Sequence, residues 1–334
     1  MQPQIADGTK KKFDITGILD YAIYFVCIAF IVVVAFGNRN FLTIGNFLLI
    51  LQQTSPYFIA ASGMAFVLMS GGVDISVGQN MLLSAAVGGW VAQFLMDAGI
   101  LRADTASLLI ISIIASLATG AVVGFINGVC IAKFNILPFI ATLAMTNMAR
   151  GVGLVIIGGE SRNLEGITRT LNINIGGFFP LILIPAIVVL VVFNFIARSL
   201  PFGRKVKAIG RSAENANKVG IQVVKTKIIV HTMCGALAGV CGLLSAAQMR
   251  YLYSSHGTGS EFIIISGCIL GGVSLFGGKG SVIPGAIIGV MMVQMIVNGL
   301  TMINANPYVY TIVRGVVIFM AVMIESVKHK GTLK

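Results

Sequence analysis

The sequence predicts an all-α integral membrane protein of about ten transmembrane helices, and three observations predict it. The 334 residues are 57% hydrophobic and only 10% charged, against about 25% charged in an ordinary soluble domain. Since about 20 apolar residues cross one bilayer, this content supplies roughly nine or ten spans and leaves nothing for a water-soluble domain. Apolar runs of that length recur along the whole chain, and the lysines and arginines gather between them. No polar stretch exceeds about 30 residues, so none can bury a core of its own. Residues 1–334 therefore read as a single polytopic membrane domain.

In chain order, the runs expected to be helical spans are Gly17–Phe36, Phe47–Met69, Gln79–Met96, Ala106–Ala132, Ile136–Ile157 and Gly177–Ala197. After a polar stretch, Arg198–Lys227, four more follow: Ile228–Gln248, Phe262–Gly272, Ser281–Leu300 and Pro307–Ile324. The first run, preceded by Lys10, Lys11 and Lys12, loosely resembles a secretory signal. It is too long for a signal core, so an uncleaved helix is expected. The run from Phe262 is too short to span unaided, and Pro56 interrupts the second span. Half-helices or a re-entrant turn are expected at those two places.

Basic residues give an independent test of topology, because cytoplasmic loops carry their excess. Three precede the first span, eight lie in 198–227, and three (Lys328, Lys330, Lys334) follow the last. Six spans before the middle loop and four after it place all three segments on one side. With Lys133 and Lys279 the inside total is sixteen, against five outside: Arg39, Arg102, Arg162, Arg169 and Arg250. Residues 1–16, 198–227 and 325–334 are thus expected to be cytoplasmic, with both termini inside. The +12 net charge reflects this topology. The basic residues lack interleaved aromatics and give no sign of nucleic-acid binding.

Glycines recur at helical spacing in Gly120-x3-Gly124-x3-Gly128, Gly235-x3-Gly239 and Gly285-x3-Gly289. Close helix packing is the favoured reading. A faint internal repeat relates Gly71-Gly72-Val73 and Gly78 to Gly271-Gly272-Val273 and Gly278. The five cysteines, Cys27, Cys130, Cys234, Cys241 and Cys268, all fall in apolar runs and read as core residues.

Chemistry is hard to find. Arg150 and Arg314 lie toward the outer halves of their spans and His231 near the inner face, where snorkelling or a structural ion pair is the favoured reading. Asp74 and Glu261 are placed at loop edges, so the helices lack the carboxylates expected of an ion-driven transporter. The stretch Gly277-Gly278-Lys279-Gly280-Ser281 is no phosphate loop, since Val273 stands where the first glycine is needed and Gly280 follows the lysine. His256 and His329 stand alone, and no nucleophile has a histidine at readable spacing. No cofactor, metal site or catalytic residue is expected.

The middle loop is the most informative polar segment. Gly210 to Ile221 reads as a short helix bounded by glycines, with Ser212 as N-cap, Glu214 in the first turn and Lys218 four residues on. It suits a docking handle for a cytoplasmic partner, although a helix lying on anionic lipid is equally compatible with the charge. The loop Gly71–Gly78 holds one acid and one hydroxyl among glycines, and Asp74 or Ser76 is expected to cap the next helix.

GGVDISVG at Gly71–Gly78, GFINGVCIA at Gly124–Ala132, PFIATL at Pro138–Leu143, Phe202-Gly203 with Ala208–Arg211 and Gly220-Ile221, and GGVSLFGGKGS at Gly271–Ser281 together resemble the ribose-type sugar permeases of ATP-binding cassette importers, in the branched-chain and ribose permease superfamily. The resemblance runs in register from about residue 15 to residue 326. It implies a permease subunit of a bacterial inner membrane that works in a homo- or heterodimeric pair. Separate cytoplasmic ATPase subunits and an extracytoplasmic sugar-binding protein would complete the importer. It makes Gly210, Arg211, Glu214, Asn215 and Gly220 candidate ATPase-coupling residues, and Asp74, Ser76, Asn127, Phe139, Thr142 and Asn298 candidates for the substrate pathway. One departure is Glu261-Phe262-Ile263, where family members often carry a second carboxylate. The expected function is import of a sugar by a pore with no chemistry of its own. The alternative is a stand-alone secondary transporter or facilitator of small polar solutes.

Overall fold

The computed structural model describes residues 28–168, 171, 174–175 and 179–332. Most of the first expected span, Lys10 to Lys12, Cys27, Arg169, Gly177 and Lys334 lie outside these residues. The chain builds α1 (Ile28–Gly37), α2 (Ile44–Met69), α3 (Val77–Asp97), α4 (Ala106–Ala132), α5 (Pro138–Ile157), a single turn α6 (Glu165–Thr168), α7 (Leu183–Arg198), α8 (Pro201–Arg211), α9 (Ala213–Lys218), α10 (Val223–Met249), α11 (Ser260–Leu270), α12 (Ile287–Met302) and α13 (Pro307–Thr332). Four two-residue strands, β1 (Arg162–Asn163), β2 (Asn174–Ile175), β3 (Phe179–Pro180) and β4 (Tyr251–Leu252), form two small antiparallel pairs, β1 with β4 and β2 with β3. The all-α expectation holds.

Local signals fix many of the ends. Thr43 and Thr105 accept the amides of Asn46 and Leu108 at the starts of α2 and α4. Pro138 opens α5 at a position that needs no N–H, and Gly158 closes it in a left-handed conformation (φ +75°).

Among the described residues five helices are long and apolar enough to cross a bilayer: α4, α5, α10, Val282–Met302, which is α12 with its preceding π-turn, and Tyr308–Val327 within α13. A sixth forms if α7 and α8, bent by 68°, are taken together. The 26-residue α2 and the 21-residue α3 are long enough but carry polar residues along their length. Several of their polar residues point at protein. Asn80 of α3 donates to the carbonyls of Gly235 (3.1 Å) and Gly120 (3.4 Å), and Ser116 of α4 donates to that of Ser84. A helix shielded from lipid can carry such groups.

The glycine motifs do pack. α4 and α10 touch backbone to backbone: a Cβ on Gly120 would meet the Gly235 carbonyl at 2.2 Å, one on Gly235 the Gly120 carbonyl at 2.3 Å, and one on Gly239 the Ser116 carbonyl at 2.2 Å. α11 and α12 meet similarly through Gly267 and Gly289. Cys234, Cys241 and Cys268 are buried and Cys130 half-buried, all free thiols.

Pro56 does not break α2, which corrects the expected interruption. Proline lacks the N–H that would reach the Gln52 carbonyl. That acceptor instead takes the Gln248 side-chain amide of α10 and the Ser55 hydroxyl (2.8 Å). The Phe262 run does form a half-helix: α11 has only 11 residues, about 16 Å at 1.5 Å each.

The loops segregate to two ends. At one, Asp104 bonds the Gly166 carbonyl, Leu164 that of Arg250, and Asn38 that of Met302. At the other, α2 and α11 finish in matching caps: Gly71 and Gly72 bond the carbonyls of Leu68 and Val67, as Gly272 and Val273 bond those of Ile269 and Cys268. The left-handed residues are Gly71 and Gly272, so the two caps match with Gly71 against Gly272, one residue from the register that sequence suggests. Glu325 of α13 reaches this same end through Ser274, at 2.6 Å, and the segment expected as a tail from residue 325 continues α13 to Thr332.

The middle segment holds more structure than expected. Besides the short helix it forms α8, whose Gly203, Val206 and Ile209 are buried while Arg204 and Lys205 face outward. Helical periodicity in a basic stretch had hidden that face. Gly210 bounds nothing. It lies inside α8, and Gly220 (φ +83°) alone closes α9 in the way expected.

Candidate functional site

The first polar site lies where the segment 70–76 turns back into the bundle before α3. Asp74 is 1% exposed. Its Oδ1 accepts the Ser76 amide (2.9 Å) and hydroxyl (2.6 Å), and the Asn127 amide of α4 donates to Ser76 Oγ (2.8 Å) and more weakly to Asp74 (3.4 Å). Ser76 is the N-cap residue of α3 but makes no side-chain cap bond, since its hydroxyl is committed to Asp74. His231 of α10 packs against Gly72. Its Nδ1 meets the Lys227 carbonyl at 2.9 Å, while its Nε2 and Asp74 Oδ2 have no partner. Three sequence candidates, Asp74, Ser76 and Asn127, thus form one buried cluster.

The remaining pathway candidates lie elsewhere. Asn298 of α12 pairs reciprocally with Asn46 of α2, both bonds 3.1 Å. Thr142 is buried, with its hydroxyl on the Pro138 carbonyl (2.8 Å). Phe139 is 59% exposed on the start of α5.

A second polar site gathers around the loop that follows β4. After β4 the chain re-enters the bundle, so that Gly257 packs on Gly78 and Met81 of α3. Glu261, second residue of α11, is consequently 8% exposed and His256, far from standing free in an outer loop, is buried against the Gly242 carbonyl and Ser245. Arg150 and Arg314 both reach this loop. Arg150 Nη1 donates to Thr258 Oγ1 (3.1 Å), which also takes the Gln79 amide (3.2 Å), and Arg314 Nη1 lies against Gly259. Gln79 Oε1, Glu261 Oε2 and Arg314 Nε are buried without partners. Sequence flagged both arginines as charges at depth but had no signal for the re-entry that gathers Gln79, Thr258 and Glu261 around them.

The third site is the end of α8 with α9. Ser212 caps α9 by accepting the Asn215 amide (3.2 Å), and Lys218 pairs with Glu214 at 2.7 Å, both as expected. Glu214, Asn215 and Gly220 are exposed, as is Arg211, whose stem lies on Gly278. Ala216 is buried. Beside α9 a groove of about 620 Å³ is lined by Ala213, Glu214, Asn217, Val224 and Ile228. Gly210 wedges between the capped end of α2 and the Gly277–Gly278 turn that follows α11: a Cβ there would lie 2.0 Å from the Met69 carbonyl and 2.5 Å from the Gly278 nitrogen, and that amide bonds that carbonyl at 2.9 Å. A Cβ on Gly277 would meet Gly71 and Gly210 at 2.9 Å. Movement of α9 therefore has a direct contact route to the Gly71–Gly72 and Gly277–Gly278 turns.

Among the described residues no group of three or more histidine, cysteine or acidic side chains could hold a metal ion. What the arrangement offers is polar surface inside an apolar bundle and an exposed helix at one end.

Comparison with known proteins gives concordant results. Residues 46–322 match the family model described as the permease component of the branched-chain amino acid transport system. The ribose import permease protein of Escherichia coli strain K12 is 33% identical over 98% of this chain and all of its own length. The galactose/methyl galactoside import permease protein of Haemophilus influenzae is 32% identical, covering 96% of this chain and 97% of its own. The ribose import permease protein of Bacillus subtilis is 32% identical over 89% of this chain and 90% of its own. No solved structure matches.

Proposed function

This chain belongs to the branched-chain amino acid transport system permease-component family, and on that premise we propose that it is the membrane subunit through which a separately fuelled importer moves a sugar into the cell. It is a multi-pass inner-membrane permease subunit and has no catalysis of its own. The sugar reading is supported by full-length similarity to permeases named for ribose and galactose. A pair of such subunits, two cytoplasmic ATPases and an external sugar-binding protein make up the working assembly in this reading, with about ten spans and both termini cytoplasmic.

The observation that carries the mechanism is the Gly210 junction. α9, exposed and too small for chemistry, is tied through α8 to the end of α2 and to the Gly277–Gly278 turn. A partner gripping Glu214, Asn215 and Lys218 would move that end and that turn as a unit, and a two-state rearrangement of packed helices would then alternate access. Asp74, Ser76 and Asn127 sit beside the same turns and are proposed as the inner lining of the passage. Reconstitution in proteoliposomes tests this. Uptake of radiolabelled ribose or galactose is expected only with ATPase subunits, binding protein and ATP all present. Uptake by the permease alone would establish the stand-alone facilitator instead.

A further inference from the structure

We propose that the re-entrant loop 253–259 and its neighbours Gln79, Glu261 and Arg314 form a polyol-binding station within the bundle, where sugar hydroxyls are held during passage; this rests on the sugar-import reading.

Buried polar groups in proteins are nearly always partnered, yet three are orphaned here on three helices that meet the loop: Gln79 Oε1, Glu261 Oε2 and Arg314 Nε. Gln79 and Glu261 are more than nine-tenths buried. They gather around the loop. Gln79 and Arg150 both donate to Thr258, Arg314 lies against Gly259, and Glu261 follows two residues later. Arg314 is near enough to Glu261 to interact electrostatically, but among the described residues no ion pair closes between them. A structural salt bridge does not account for the pair.

The chemistry of the orphans selects the ligand. Two are acceptors and one is a donor, on three different elements, and a hydroxyl is the small neutral group that can both give and take a hydrogen bond. Adjacent hydroxyls on one ring can satisfy an acceptor and a donor together. The loop has the backbone to open around such a ring, since Gly257 (φ +74°) and Gly259 (φ +79°) flank Thr258 in left-handed conformations. In this conformation the station is shut: Gly78 and Gly257 are in backbone contact, and a Cβ on Gly78 would fall 2.0 Å from Glu261 Oε2. The orphan atoms are the side of the site that substrate completes.

The test uses the complete importer in proteoliposomes, reading radiolabelled ribose uptake and ATP hydrolysis together. Glu261→Gln and Gln79→Met, both close in shape to the native side chains, are each expected to lower uptake per ATP hydrolysed by about tenfold or more, while hydrolysis stays within about twofold of wild type. A structural defect would instead reduce uptake and hydrolysis in parallel, and that outcome overturns the proposal. So does an unchanged ratio in both variants. If either fails to insert, the other gives the same reading. Failure of the sugar-import reading would show in the wild-type complex as no uptake of ribose or galactose and would take this inference with it, whereas failure of the inference alone shows only in the variants.

Discussion

Gly210→Ala perturbs the contact on which coupling is proposed to depend. The new Cβ would lie 2.0 Å from the Met69 carbonyl oxygen and 2.5 Å from the Gly278 nitrogen, and real Cβ contacts essentially never fall under 3.0 Å. The end of α8 must therefore retreat by about 1 Å from two backbones that have no side-chain rotamer to give. Overpacking of this kind costs about 1–3 kcal/mol. Prising apart the Gly278 to Met69 hydrogen bond adds about 1 kcal/mol. A total of about 2–4 kcal/mol is a 30-fold or greater bias against the seated junction, at roughly 1.4 kcal/mol per tenfold. The expected result in the reconstituted importer is sugar uptake reduced tenfold or more, with ATP hydrolysis largely retained. Gly151→Ala is the matched control, since its Cβ meets nothing within 4 Å. Normal uptake per ATP in Gly210→Ala would refute the argument that motion travels through this contact.

Three further expectations follow from the packing. Glu214→Arg breaks an exposed helix pair worth only about 0.3–0.5 kcal/mol, so the permease should insert normally yet lose co-purifying ATPase; undiminished recovery of the ATPase in a pull-down counts against α9 as the handle. Gly235→Ala drives a methyl into the Gly120 carbonyl and the Gly124 Cα and should lower the thermal midpoint of detergent-solubilised protein, at a cost of about 1–3 kcal/mol, whereas Gly315→Ala, in open space, should not. Gln248→Leu leaves the Gln52 carbonyl with Ser55 alone and should cost about 0.6–1.5 kcal/mol in a denaturation series; the loss should shrink in a Pro56→Ala background, because the substituted alanine restores the missing N–H, and an equal loss in both backgrounds would show that the repair contributes nothing.

Local relations were the legible ones. Ser212, Glu214, Lys218 and Gly220 lie within nine residues, so cap, ion pair and terminator could be read from spacing. The glycine periodicities likewise named the faces of α4 and α10 that touch. The Asp74, Ser76 and Asn127 grouping came from motif resemblance, and its geometry needed the fold. Partnerships between distant segments stayed hidden. Gln248 lies 196 residues from the carbonyl it satisfies, and nothing around either residue announces the other. Glu261 was placed at a loop edge because hydropathy reports apolarity along the chain, while burial depends on a loop that folds back between helices. α8 was missed for a related reason: three buried residues among basic ones carry too little apolarity to register as a run.

The α4 and α10 pair lets the machine's moving parts be sorted from its frame. Where two backbones meet with no side chain between them, there is no cushion to compress and no rotamer to flip, so the pair has to travel as one beam or not at all. Any swing that admits a solute must then be taken up on the far side of the molecule, by the stubby α11 and the turns at its ends. A cross-link between α4 and α10, or between α11 and α12, which meet the same way through Gly267 and Gly289, should accordingly leave throughput untouched, whereas a staple pinning α11 to α2 should jam it.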